Sequence, residues 1–187
     1  MSLLDRYRFC PACGRPYEAP LARPRRCANP SCGVTIWANP IPVAVALVPV
    51  VWRDRTGLLV VRRGIEPRRG LLALVGGFVE EHERWQTAAA REVLEETGVA
   101  VDENSLRLFD AVSTEPVPDR ILLFATAAPV AASGLPPFTP GQESQARGIV
   151  FGPGGLDQLF AFPLHVAAAR RWFESQGIGG DHDHVEC

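Results

Sequence analysis

Apolar residues come in short runs separated by turn-forming residues, and each run is about the length of one strand. Runs at Val43–Val51, Leu58–Arg63, Leu71–Val75, Leu106–Ser113, Ile121–Ala128 and Gln145–Phe151 predict strands; Asp54 to Gly57 marks one of the turns between them. Two segments break this pattern. Arg84 to Thr97 carries three consecutive alanines and few β-branched residues, and Gly98 supplies the stop, so it predicts a helix. Leu156 to Gln176 repeats apolar residues at helical spacing (Leu164, Ala168, Trp172, Phe173) and is interrupted near Pro163. Several strands with one central and one terminal helix indicate an α+β fold, with helices flanking a mixed sheet. The proline-rich stretch Leu135 to Gly141 reads as a loop.

The first 38 residues do not fit this pattern. They hold four of the five cysteines, Cys10, Cys13, Cys27 and Cys32, in two pairs that each end in Cys-Gly. A C-x2-C and a C-x4-C pair separated by thirteen residues suit a closed tetrahedral zinc site. The glycine after the second cysteine of each pair lets the backbone turn its amides toward sulfur. Two disulfides are the alternative, and they belong to secreted proteins. The expected organisation is therefore a zinc ribbon at 1–38, a catalytic domain at 39–176 and a disordered tail at 177–187. Cys187 and the Asp181-His182-Asp183-His184 run fall in that tail.

Composition adds exclusions. All 19 basic residues of this 187-residue chain are arginine. Without lysine there is no P-loop nucleotide site and no pyridoxal-phosphate Schiff base. A net charge of −2 exerts no overall pull toward nucleic acid or anionic membrane. No apolar run approaches the roughly 18 residues of a spanning helix. The N-terminal residues lack a secretion-signal pattern, so the expected location is the cytoplasm.

The small net charge hides a local excess: Glu80, Glu81, Glu83, Glu92, Glu95 and Glu96 lie within seventeen residues. On a helix Glu92, Glu95 and Glu96 share one face and repel one another. Either this face is solvated, or it serves a hard divalent cation such as Mg2+. Gly76-Gly77 ahead of the helix can bring backbone carbonyls close to a metal, and Arg91 can pair with an acid.

Gly77, five residues, Glu83, seven residues, then Arg91-Glu92-Val93-Leu94-Glu95-Glu96-Thr97-Gly98-Val99 matches the Nudix box at each defining position. The chain thus resembles the Nudix hydrolases. The resemblance implies an α/β/α sandwich with a loop–helix–loop site that hydrolyses nucleoside diphosphate derivatives with Mg2+ or Mn2+. It makes Glu92, Glu95 and Glu96 the metal ligands, one of them a candidate base, with the Gly77 carbonyl as a further contact. Glu83 and Arg91 then hold loop and helix together by ion pairing, and Gly98 ends the helix.

Two zinc-ribbon groups of that family compete. NADH pyrophosphatases carry a Ser-Gln-Pro-Trp-Pro-Phe-Pro string after the box, and it is absent here. The chain is more similar to plant-type FAD and ADP-ribose pyrophosphatases and their bacterial relatives. That similarity lies in Asn39-Pro40, Arg63-Gly64-Ile65-Glu66-Pro67 and Pro140-Gly141-Gln142-Glu143-Ser144. FAD or ADP-ribose is the favoured substrate; NADH and nucleoside triphosphates or biosynthetic diphosphates are alternatives, and a ligand sensor or nucleic-acid-binding protein is the rival class. The expected partner is a small nucleotide rather than nucleic acid or membrane, and the resemblance makes a homodimer plausible. Glu143 is the only acid of the late loop and is a candidate ligand or base. Arg62, Arg63, Arg68 and Phe78 are candidate substrate contacts, with solvated surface or core packing as the alternative for each. His82 replaces the glycine usual before Glu83, and Leu72 and Val75 replace a common tryptophan and proline.

Overall fold

Side chains of the central strands alternate between two separate cores. A computed structural model describes residues 8–18, 24–37, 39–117 and 119–187. The chain divides into two compact units, residues 1–40 and 41–187. The ribbon expected at 1–38 includes residues 1–7, 19–23 and 38, which lie outside the described residues.

In the first unit, β1 (Arg25–Arg26) pairs antiparallel with β2 (Thr35–Ile36). An isolated bridge joins Phe9 to Pro16. Gly14 and Gly33 both have left-handed backbone, with φ of 71° and 65°, which turns the chain just after each cysteine pair.

The second unit is built on β3 (Ile41–Leu47), β4 (Pro49–Trp52), β5 (Arg55–Arg63), β6 (Leu72–Phe78), β7 (Arg107–Ser113), β8 (Arg120–Thr126), β9 (Val130–Ala131), β10 (Ser144–Phe151) and β11 (Asp183–Glu186). The spatial order is β11-β10-β5-β6-β3-β8-β7, with β4 on β5 and β9 on β4. Among the described strands β3–β8 and β4–β9 pair parallel and the rest antiparallel, so the sheet is mixed as expected. The helices are α1 (Trp85–Thr97), α2 (Leu156–Leu159) and α3 (Pro163–Ser175).

Period-two alternation separates the cores. Ala44, Ala46, Leu59, Val61, Ala73 and Val75 face Ala88, Ala89 and Val93 of α1. Val45, Leu47, Leu58, Val60, Leu72 and Leu74 face Val166, Ala169, Trp172 and Phe173 of α3. Strands buried on both faces read as continuous apolar runs, which is why the sequence exposed them so clearly. No helix among the described residues is long and apolar enough to cross a membrane.

Two expectations need correction. The tail expected to be disordered forms β11, antiparallel to the outer edge of β10, with Arg55–Asp183 and Arg62–Glu186 ion pairs across it. An open sheet edge offers unpaired backbone groups that almost any extended segment can satisfy. Second, the strand expected to end at Val75 runs on to Phe78 and takes in Gly76 and Gly77. A Cβ at Gly76 would fall on the Ala44 carbonyl of β3, and one at Gly77 on the Glu92 carboxylate. Glycine at these positions permits close approach between strands, and between strand and helix.

Candidate active site and metal centres

The small side chains Ala88 and Ala89 let α1 lie close to the sheet. Glu92 and Glu96, one turn apart, border this buried face, while Glu95 is exposed. Gly98 closes the helix in the left-handed conformation, its N–H donating to the Leu94 carbonyl at 2.8 Å.

Arg91 organises the acids. Its Nε and Nη2 donate to the two Glu83 oxygens at 2.9 and 3.0 Å, and Nη1 donates to Glu92 at 2.7 Å and Glu95 at 3.2 Å. Nη2 also reaches the Phe78 carbonyl at 3.1 Å, tying β6 to the helix. The bidentate contact with Arg91 holds the Glu83 carboxyl below its usual range.

Glu96 has no such cation in contact. It accepts a 3.3 Å hydrogen bond from the Gly76 amide. Burial pushes its carboxyl up to about 8; the Gly76 amide opposes this, and the Glu92 and Glu143 charges add to it. Burial also raises Glu92, against the pull of Arg91.

Glu143 comes to the same place from the other side. A cleft of about 260 Å³ is lined by Glu92, Glu95 and Glu96 of α1 and by Thr139, Gly141, Gln142, Glu143 and Ser144 ahead of β10. The Gly64 amide donates to the Glu143 carbonyl at 2.6 Å and fixes this segment against the end of β5. Ser144 Oγ, although buried, has no protein partner. Four carboxylates on one cleft, Glu92 and Glu96 with raised proton affinity, suit a hydrated divalent cation beside the orphaned hydroxyl. A larger cleft of about 480 Å³ opens at the opposite end of β5 and β10, and two acids, Asp54 and Asp181, line it.

The other candidates separate. Arg62 is engaged by Glu186 and by the Gly70 carbonyl. Arg63 donates Nε to the Pro67 carbonyl, stacks 4.9 Å over Phe162 and lies near enough to draw the Glu96 carboxyl downward. Arg68 is exposed with φ of 67°, and Phe78 is half-exposed at the end of β6. Sequence reasoning passed over Gln142 and Ser144, although both sit in the late Pro-Gly-Gln-Glu-Ser string, and it gave no signal for Arg147, described below.

In the first unit the four thiols are unpaired, and their sulfur atoms all lie within 4.8 Å of one another. Cys10–Cys32 and Cys13–Cys27 separations are 3.7 and 3.6 Å. Zinc with Zn–S bonds of about 2.3 Å needs sulfur atoms about 3.8 Å apart, so the donor set fits. Burial pushes the Cys10 thiol up, but amides of Cys13 and Ala12 outweigh it and bring it to about 6. Asn29 donates to Cys27 and lowers it, yet burial and the other thiols drive it to about 11. Neighbouring thiolates repel, so only a cation lets all four ionise.

Comparison with known proteins agrees with this architecture. The NUDIX domain family model matches residues 41–175. The NAD-capped RNA hydrolase NudC of Deinococcus radiodurans is 31% identical over 166 residues, covering 88% of this chain and 55% of its own length. The chain therefore spans about half the length of that relative. The crystal structure of a NUDIX hydrolase from Nitrosomonas europaea superposes with a TM-score of 0.66 at 26% identity, covering 94% of this chain and 97% of that one. The NUDIX domain of Shewanella oneidensis NrtR, complexed with ADP ribose, shares the fold with a TM-score of 0.60 at 18% identity over 73% of this chain and 88% of that one. With its family model spanning β3 to β10 and both long helices, the chain belongs to the Nudix family.

Proposed function

We propose that the chain is a Mg2+- or Mn2+-dependent pyrophosphohydrolase that cleaves the diphosphate bond of nucleoside diphosphate derivatives, with FAD or ADP-ribose as the favoured substrate. The observation that carries this reading is the convergence of Glu92, Glu95, Glu96 and Glu143 from two separate elements on one cleft. NADH is the second reading, favoured by the similarity to NudC. All three molecules contain an ADP half, so one diphosphate site serves each of them. On this second reading, an NAD cap on RNA is an extended form of the same substrate.

Glu92, Glu95 and Glu96, with the Gly77 carbonyl, would hold the divalent ion, which supplies charge to offset the diphosphate and acidifies the attacking water. Glu143, or one of the helix glutamates, takes the proton of that water. Among the described residues the Arg63 guanidinium hydrogen-bonds only through Nε, which leaves its Nη groups for bidentate contact with phosphate. Arg91 and Glu83 keep the acids in register. Four cysteines hold structural Zn2+ in the first unit.

Glu96→Gln tests the site. In a folded, metal-replete protein it should lower kcat by about 100-fold or more, with release of AMP from FAD, ADP-ribose or NADH, or of nicotinamide mononucleotide from NAD-capped RNA, as the assay. Near-wild-type turnover by that variant would remove Glu96 from the chemistry. A preference for NADH or capped RNA over FAD and ADP-ribose would select the second reading.

A further inference from the structure

Arg147 is 3% exposed on β10, yet none of the ion pairs among the described residues includes it. A buried guanidinium stays charged, so something must balance it. Two backbone carbonyls do so. Nη1 donates at 2.8 Å to the carbonyl of Thr97, the last residue of α1. Nη2 donates at 2.8 Å to the carbonyl of Pro136, in the loop that runs to Glu143. The first carbonyl belongs to a helix C-terminus, where orphan acceptors and the helix dipole both favour a cation. The Phe138 ring lies 5.7 Å from the guanidinium on the same loop. The loop has no regular structure between Leu135 and Ser144, so its position depends on such point contacts. Two more are the Gly64–Glu143 and Gly141–Ser144 hydrogen bonds.

We infer that Arg147 is a positioning residue that sets the spacing of the acidic cleft, joining the end of the helix that carries Glu92, Glu95 and Glu96 to the loop that carries Glu143. The inference rests on the proposed role of the cleft. A planar fork reaches two carbonyls at once, whereas an ammonium on a flexible stem holds them without fixing their relative direction. Arg147 touches no reacting atom in this scheme; it acts through Glu143.

A double-mutant cycle tests this. Mn2+ binding to the whole chain, read by electron paramagnetic resonance, and kcat are measured for wild type, Arg147→Lys, Glu143→Gln and the double variant. Arg147→Lys should weaken Mn2+ binding or lower kcat about tenfold while Glu143 is present, as loss of a group that orients a ligand does. In the Glu143→Gln background the same change should cost less than about twofold, because the group it positions is gone. Should Arg147→Lys not fold, Arg147→Gln, which keeps one donor group, takes its place. Equal effects in both backgrounds, or no effect in wild type, would overturn the positioning role and leave the cleft intact. A wild-type protein that neither binds Mn2+ nor cleaves any diphosphate would instead overturn the reading of the cleft itself.

Discussion

Glu96 sits where its charge is disfavoured. Burial and two neighbouring carboxylates raise its proton affinity to about 8, against 4.5 for a free glutamate. Between those values the folded state binds a proton that the unfolded chain has released. Stability therefore declines as pH rises through this window, and the contribution of Glu96 is fully present only below about 4.5. In buffer free of Mg2+ and Mn2+, the melting temperature should fall from pH 5 to pH 8.5. Glu96→Gln should flatten that fall, and added Mg2+ should also reduce it. Parallel profiles for the two proteins would show that the carboxyl titrates elsewhere. The glutamates were legible because helical spacing alone put three of them on one face. Arg62 and Arg63 were not separable, since adjacent strand residues point to opposite faces and only the sheet decides what each face meets. Arg147 gave no signal, because one arginine in a strand reads as a solvated side chain until its neighbours are known.

At the scale of elements, strands and helices emerged close to the expected positions, except that the Val43–Val51 run divides at Val48 into β3 and β4, which pair with different strands. Both faces of the central strands are buried, so their apolar runs were unbroken. The turn from β6 into α1 shows what substitution does within such an element. His82 adopts φ of 67°, the left-handed region where a side chain crowds the backbone and glycine does not. His82 is also exposed, so its side chain contributes little packing. His82→Gly should therefore stabilise the protein by about 0.5–1 kcal/mol, the strain relief being partly offset by added chain entropy. Chemical denaturation measures this, and a destabilised variant would mean that the turn holds no such strain. β11 escaped prediction for the opposite reason. Asp183-His184-Val185-Glu186 has no apolar alternation, and it is ordered by the edge of β10 rather than by its own composition.

At the scale of the molecule, the two units rest on different physics. Residues 41–187 bury two apolar cores against a sheet. The ribbon has few buried apolar side chains among its described residues, chiefly its own cysteines. Zinc binding is worth on the order of 10 kcal/mol to such a site. Stripping zinc should abolish amide-exchange protection at residues 24–37 and leave that of α1 and β3 in place, read by hydrogen exchange with mass spectrometry. Protection that survives in the ribbon without zinc would mean that the thiols are not its main support.

The order of apolar runs was enough to predict an α+β fold, local spacing to predict the four-cysteine cluster and the acidic helix face, and resemblance to the Nudix box to predict the family, because each signal lies within a few turns or one loop. Tertiary structure alone brought Glu143 opposite the helix glutamates, set Arg63 rather than Arg62 beside them, built β11 and buried Arg147 between helix and loop. Those arrangements join residues up to 128 positions apart, as in the Arg55–Asp183 pair. No periodicity reports such distances; only the packing of the sheet creates them.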